Sequence, residues 1–320
     1  MSPQLVLVMA LSAAVASGLS GWLSRGLPHL GLLDRPNARS SHQRPTPRGG
    51  GLAFIAAVLL LLPAAWAGGP AAGGAVLLIP LPLALVGLVD DRRGLPVSWR
   101  LLVQLATGLA LALHAGWGWP WALLGAVLAT AVINAINFMD GLDGLVACCL
   151  ALWLVVAALL LQLPALLLLA AALLGFLVWN WSPARLFMGD VGSTYLGAVM
   201  AGVLLQAARG GGSGVLQGLL LAALLLLADA FSCLLRRLLA GQRLWQAHRL
   251  HLYQRLHQAG WSHQQVALLY AALTAVLAAV AWLLPAWGVM LLSAVLTLAL
   301  LWKLDRRVAV PFADRARSGP

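Results

Sequence analysis

Residues 122–144 read ALLGAVLATAVINAINFMDGLDG, an apolar run that turns polar only at its far end. A helix needs about 20 predominantly apolar residues to cross a bilayer, and this run approaches that length before it meets Asp140. Asn134, Asn137 and Asp140 recur at every third position, so on a helix they fall along one slowly drifting stripe. Gly141 and Gly144 let the backbone open as the chain leaves the apolar segment, and Asp143 can then turn back towards the same stripe. Polar groups on an Ala/Ile/Leu helix are costly to leave unpaired in lipid. A polar seam between helices would account for the asparagines, whereas an Asp-x-x-Asp asks for more than seam packing.

The same apolar character extends along the whole chain. Of 320 residues, 62% are hydrophobic and only 9% charged, against roughly 25% charged in a soluble domain. Such a chain cannot cover itself for water and reads as an all-α, polytopic integral membrane protein. Residues 1–302 form a single transmembrane domain, and 303–320 form a short polar cytoplasmic tail. The first apolar segment has no positive n-region, its first basic residue being Arg25, and reads as an uncleaved span. Three cysteines, with Cys148 and Cys149 adjacent, set out no disulfide framework and no metal spacing, and read as small apolar helix residues. All nine acidic residues are Asp, and five of them (Asp90, Asp91, Asp140, Asp143, Asp190) stand at the edges of apolar runs.

Eleven spans are predicted, at 4–24, 51–67, 75–89, 100–116, 122–139, 144–162, 164–181, 192–208, 215–235, 264–284 and 287–302, with Pro80 and Pro82 bending the third. Tryptophans cluster near the predicted ends, as an interfacial belt requires. Alternate loops on one side carry 19 of the 20 basic residues, leaving Arg209 opposite. By the positive-inside rule the N-terminus then faces out and the C-terminus faces the cytoplasm. The formal charge of +11 is this topological signal together with attraction to anionic lipid heads, and nucleic acid is not an expected partner. All nine Asp, and every His except His114, fall on or near the cytoplasmic side.

Four further segments carry chemistry there. Asp90 and Asp91 close the third span, followed by Arg92 and Arg93. Adjacent carboxylates repel unless a cation lies beside them, and the two arginines alone are the plainer explanation. Between the seventh and eighth spans runs Arg185-Leu186-Phe187-Met188-Gly189-Asp190-Val191-Gly192-Ser193. Its glycines permit a turn whose amides can face phosphate at a helix N-terminus, with Asp190 as a hard oxygen ligand or simply a cap. The loop after the ninth span holds His248-Arg249-Leu250-His251-Leu252-Tyr253-Gln254-Arg255. Its donors suit phosphate oxygens rather than zinc, since no Cys is close in sequence; a basic helix resting on lipid heads is the alternative. The first cytoplasmic loop, from Asp34 through Thr46 and Arg48 to Gly51, is basic and then Gly-rich. It suits phosphate or headgroup contact, or serves topology alone.

Taken together and in this order, the segments resemble the bacterial polyprenyl-phosphate N-acetylhexosamine-1-phosphate transferases, glycosyltransferase family 4. The resemblance covers roughly residues 30–260 and rests on the Asp90-Asp91 pair, Asn-x-x-Asn-x-x-Asp-Gly-x-Asp-Gly at Asn134–Gly144, and Phe-Met-Gly-Asp-x-Gly-Ser at Phe187–Ser193. It implies that Asp90 and Asp91 take part in catalysis and metal binding, and that Asp190 is a Mg²⁺ ligand. Asn134, Asn137, Asp140, Asp143 and Phe187 would bind the nucleotide sugar. His248, Arg249 and His251 would lie near the diphosphate and sugar, and Thr46 would complete the substrate contacts. The loop lacks the triple His of the peptidoglycan translocase and departs from the His-rich form of the GlcNAc enzymes. It looks more like O-antigen initiators that transfer N-acetylfucosamine or N-acetylquinovosamine phosphate.

On that resemblance the partners are a UDP-HexNAc donor, undecaprenyl phosphate and membrane lipid, with a homodimer left open. The cofactor is Mg²⁺, or Mn²⁺ in its place, and the site faces the cytoplasm from the inner membrane. The lipid phosphate would attack the β-phosphorus and release UMP, directly or through an aspartyl-phosphate. GlcNAc-1-phosphate and MurNAc-pentapeptide donors are the neighbouring alternatives. A secondary transporter would place its ionisable groups near the midplane and often show repeats, whereas here they gather at one edge. An intramembrane aspartyl protease would leave the Asn stripe and the His loop unexplained.

Overall fold

The computed structural model describes residues 2–36, 41–66, 74–210, 212–243 and 248–312. Asn37 and Arg39 of the first cytoplasmic loop, and Asp314, Arg315 and Arg317 of the expected tail, lie outside them. The helices in chain order are α1 (Pro3–Gly26), α2 (Gly51–Trp66), α3 (Gly74–Leu78), α4 (Leu81–Arg93), α5 (Val97–His114), α6 (Trp119–Met139), α7 (Leu145–Leu161), α8 (Ala165–Asn180), α9 (Gly189–Gly210), α10 (Gly212–Ala222), α11 (Leu224–Leu239), α12 (Leu252–Gln258), α13 (His263–Leu283) and α14 (Trp287–Arg307). Between α1 and α2, β1 (Leu33–Asp34) pairs antiparallel with β2 (Thr46–Pro47), bringing Asp34 opposite Thr46.

Every one of the eleven predicted spans meets a helix or a broken helix pair. The third breaks where Pro80 stands, between α3 and α4. Among the described residues, seven segments have the length and apolarity of a membrane crossing, and the α10–α11 pair, bent by 70°, makes an eighth if counted as one span. The remaining three, within α2, α7 and α8, are shorter apolar helices. α7 and α8 are apolar all round and mostly buried, as expected of a core helix, with Val155, Leu174 and Val178 left exposed. Length, not apolarity, sets α2, α7 and α8 apart from the longer segments.

Burial grades outward from α9. Its apolar window is 89% buried, against 17% for α14, so α9 is the axis of the bundle and α14 lies at its rim. Small residues bring backbones together around that axis. A Cβ on Gly51 would collide with the Gly192 backbone, and one on Gly87 would stand 2.6 Å from the Asp190 carbonyl oxygen. Close approach through small residues is the usual way helices associate in lipid. Here it presses α2 and α4 against the first turn of α9. Exposed Trp99, Trp119, Trp121, Trp287 and Trp302 stand near helix ends, as the belt requires.

α14 runs past the predicted end of its span, and the segment after it is held in place. The buried Arg255 guanidinium pairs with Asp305 and donates to the Val310 carbonyl at 2.9 Å, while Arg236 reaches the same Asp305 oxygen at 2.9 Å.

Candidate active site

The adjacent Asp90 and Asp91 have different surroundings. Successive residues on a helix point about 100° apart, and only Asp91 turns into the seam with α9. It is 4% exposed, and its two oxygens accept the N–H groups of Asp190 at 3.1 Å and Val191 at 3.2 Å. Those are orphan donors of a helix N-terminus, capped here from another helix. The turn amides expected to face phosphate are thus occupied by Asp91, and Asp190 is not itself the cap. Gly189, at φ 74°, makes the turn; a Cβ there would collide with the Asp91 carboxylate. Arg48 closes the far side, its Nε 3.9 Å from Asp91 Oδ1 and its terminal nitrogen donating to the Asp91 carbonyl.

Asp90 and Asp190 share a cation. Arg100 Nη1 lies 2.8 Å from Asp90 Oδ2 and 3.5 Å from Asp190 Oδ2. Asp90 Oδ1 also accepts the Leu95 N–H. Asn137 Nδ2 donates to Asp190 Oδ1 and to Ser193 Oγ, both at 2.9 Å. Asn134 behaves differently, exchanging amide hydrogen bonds with Gln104 of α5 at 2.8 and 3.3 Å. The polar-seam explanation thus accounts for the Asn134 amide, yet Asn134 also lines the larger of the two cavities, and Asn137 carries the stripe on to Asp190.

Two cavities meet at Asn137, Asp190 and Gln254. The larger, of about 400 Å³, takes Asp90, Arg100, His248 and His251 along with apolar Leu83, Val97 and Leu101. Val97 and Leu101 are also largely exposed, so this cavity has an apolar flank. The smaller, of about 290 Å³, is lined by His42, Arg48, Asp140, Asp143, Phe187 and His263 among others. Asp140 is pushed up to about 8 by burial and by the charges of Asp190, Asp91 and Asp143. Burial works against ionisation of Asp143 too, but His263 at 3.2 Å and the Ala184 N–H at 3.1 Å hold it below its ordinary value. Phe187 meets the His42 ring edge-on, with centroids 4.9 Å apart.

The histidine loop is not a surface helix. Leu252, Tyr253, Arg255 and Leu256 of α12 are buried. Asp229, in the middle of α11 and fully buried, accepts the Leu252 N–H at 2.7 Å, the Tyr253 N–H at 3.0 Å and the Tyr270 hydroxyl at 2.7 Å. It thus caps α12 from across the bundle. His251 Nδ1 lies 3.7 Å from the same carboxylate. Burial opposes charge on His251, yet Asp229 and Cys233 beside it raise it to about 9. Burial together with the positive charges of His251 and Arg237 drives His248 down to about 3.

Two expected contacts do not reach the cavities. Thr46 is buried in the β1–β2 ladder with its hydroxyl turned to the Arg44 carbonyl at 3.1 Å, and it lines neither cavity. Arg249 is likewise absent from both linings, while its carbonyl accepts from Gln258 Nε2 at 3.0 Å. Nor is the His loop far from cysteine, because the fold brings Cys233 to His248 and His251. Arg100, Arg48, Gln104, His263 and Asp229 were not singled out for the site. Only Asp229 left a sequence signal, as a lone carboxylate inside an apolar span.

A helical membrane bundle that gathers aspartates, arginine and histidine at two joined cavities is the architecture of a membrane-embedded transferase of anionic substrates. Residues 74–208 match the model of glycosyl transferase family 4, a stretch that holds Asp90, Asp91, the Asn134–Gly144 segment and Asp190. The chain belongs to the polyprenyl-phosphate N-acetylhexosamine-1-phosphate transferase superfamily. Phospho-N-acetylmuramoyl-pentapeptide-transferase of Synechococcus sp. (strain JA-2-3B'a(2-13)) is 33% identical, over 88% of this chain and 92% of that protein. Decaprenyl-phosphate N-acetylglucosaminephosphotransferase of Mycobacterium leprae is 32% identical, over 82% of this chain and 79% of that one.

Proposed function

We propose that the protein transfers a HexNAc-1-phosphate from a UDP-HexNAc to undecaprenyl phosphate on the cytoplasmic face of the bacterial inner membrane. The observation that carries this reading is the pair Asp90 and Asp190, drawn from two helices onto one Arg100 guanidinium at the junction of a polar and a partly apolar cavity. The cavity flanked by Val97 and Leu101 suits a phosphate whose tail lies in lipid. The more polar cavity suits the nucleotide sugar, with Phe187 offering a ring to the uracil and Asp140 and Asp143 facing hydroxyl and amide groups.

The donor set fits a hard cation. Carboxylate oxygens of Asp90 and Asp190, with the Asn137 amide beside them, are the ligand types Mg²⁺ takes together with substrate phosphates. When bound, Mg²⁺ or Mn²⁺ neutralises phosphate charge at the junction. The lipid phosphate oxygen then attacks the β-phosphorus, the bond to UMP breaks, and a polyprenyl diphosphate sugar forms. Arg100 and the charged His251 lower the repulsion between the two anions. Asp91 acts through the α9 turn by keeping Asp190 in place. A lipid phosphate dianion already carries its nucleophile, so Asp90 is assigned to binding and charge balance during direct attack; an aspartyl-phosphate on Asp90 is the other route.

The His248–Arg255 loop supports a 6-deoxy-HexNAc donor such as UDP-FucNAc or UDP-QuiNAc, and with it initiation of an O-antigen or a related surface glycan. The names of the two relatives favour GlcNAc or MurNAc-pentapeptide donors as second readings. Purified protein incubated with undecaprenyl phosphate, Mg²⁺ and a panel of UDP-HexNAc donors is expected to release UMP only with lipid and metal both present. The fastest donor identifies the sugar. Folded protein that releases no UMP from any of these donors overturns the reading.

A further inference from the structure

α11 places Asp229, Cys233 and Arg237 at four-residue spacing, all buried, so they form one face of the helix. That face meets the loop ahead of α12. There Cys233, His248 and His251 each offer a ligand atom, and the three atoms lie within 4.8 Å of one another. The rings of His248 and His251 are 5.0 Å apart by centroid and tilted by 33°. Each of these residues has a bland role alone: a small core thiol, and two imidazoles facing anionic substrates. Their convergence does not follow from those roles.

We propose that Cys233, His248 and His251 form a binding site for a soft divalent cation of the Zn²⁺ class, distinct from the hard oxygen site at Asp90 and Asp190. One thiolate and two imidazoles are donors of the zinc type, and bonds of about 2.0–2.3 Å would ask only a modest contraction of the cluster. Asp229, 3.7 Å from His251 Nδ1, stands where an outer carboxylate orients a ligating histidine. Three protein ligands leave a fourth position open. His248 and His251 line the larger cavity, so that position admits water or a phosphate oxygen. Metal binding releases the thiol proton and withdraws both histidines from the substrate anions.

Co²⁺ titration of the detergent-purified full chain tests this directly, because a thiolate–Co²⁺ bond has a near-ultraviolet charge-transfer band. One equivalent is expected to bind, to show that band together with tetrahedral d–d absorption, and to be displaced by Zn²⁺. Cys233→Ala should abolish the band, whereas a Cys148→Ala/Cys149→Ala double variant should retain it. His248→Ala, at a half-buried position, should weaken Co²⁺ binding at least tenfold with the fold intact by gel filtration. A wild-type chain without the band, or a band that survives in Cys233→Ala, overturns the proposal. The readout is metal binding and not turnover, so it stands or falls apart from the sugar-phosphate assignment.

Discussion

The carboxylate of Asp91 caps the helix whose first turn carries Asp190. The Asp190 N–H reaches Asp91 Oδ1 at 3.1 Å across 99 residues of sequence, and Asp90 next door faces the cavity with Arg100. Adjacent aspartates in one chain thus hold different posts, Asp91 capping α9 at the wall of the smaller cavity and Asp90 lining the larger one. Asp91→Ala is expected to cost about 0.5–2 kcal/mol for the lost cap and to lower activity through Asp190. Asp90→Asn should leave the melting temperature close to wild type while removing turnover. Thermal melts beside UMP release check both, and an Asp91 variant with unchanged melting would refute the capping role.

Asp190→Asn keeps an oxygen for Asn137 but removes the charge at the cavity junction. Turnover that depends on Mg²⁺ should vanish while membrane insertion and melting stay normal. Normal activity in this variant would end the assignment of Asp190 to the metal.

Arg100 occupies the same oxygens as the proposed cation. In Arg100→Ala, Asp90 and Asp190 lose their shared counter-charge, so their repulsion is relieved by metal alone. A lower half-activating Mg²⁺ concentration is expected together with slower turnover. A Mg²⁺ titration of initial rates distinguishes this from simple loss of structure, which would leave the half-activating concentration unmoved.

Asp229→Ala leaves two backbone N–H groups of α12 and the Tyr270 hydroxyl without their acceptor, and His251 without the carboxylate 3.7 Å away. Removing one member of a buried charged network costs about 3–5 kcal/mol. Hydrogen exchange should rise at Leu252 and Tyr253 before it rises in α9. Equal protection in both would place the capping interaction in doubt.

Gly87→Ala inserts a methyl group 2.6 Å from the Asp190 carbonyl oxygen. Overpacking of this kind costs about 1–3 kcal/mol, and here it would push α4 away from the turn that presents Asp190. Melting and UMP release should fall together. A variant active at the wild-type rate would mean that this helix contact does not set the site.

Asp143 is held below its ordinary 3.8 by His263 and the Ala184 N–H against the cost of burial. A depressed carboxylate stabilises the fold fully above its unfolded value, and the contribution disappears as pH falls through the folded one. His263, with His257 behind it, is the nearest titratable neighbour, and Asp140, Asp91, Asp190, Asp34, His42 and Arg48 line the same cavity. Melting temperature should drop below about pH 4 in wild type, and less steeply in Asp143→Asn. Parallel profiles would remove Asp143 from the account.

Much of the molecule was legible in order along the chain. Each predicted span met a helix, and Pro80 marked a true break, because apolarity and proline act locally. The count of crossings was less legible, since α2, α7 and α8 are as apolar as the longer helices but shorter than them. Among site residues, Asp90, Asp91, Asn134, Asn137, Asp140, Asp143, Asp190, Phe187, His248 and His251 converge on the two cavities. Thr46 was drawn in by its basic loop, yet the β1–β2 ladder turns its hydroxyl inward.

From sequence alone came the helical membrane class and the set of aspartates, asparagines and histidines that places the chain in its superfamily. Composition and short spacings suffice for that, because lipid tolerates few polar groups and those retained stand out. Only the tertiary structure decided which of Asp90 and Asp91 is committed to a helix cap, that Arg100 joins Asp90 to Asp190, and that Cys233 meets two histidines. Each of these depends on how deeply one helix presses against another through residues such as Gly87. That distance is set by packing between segments far apart in the chain, and no local pattern encodes it.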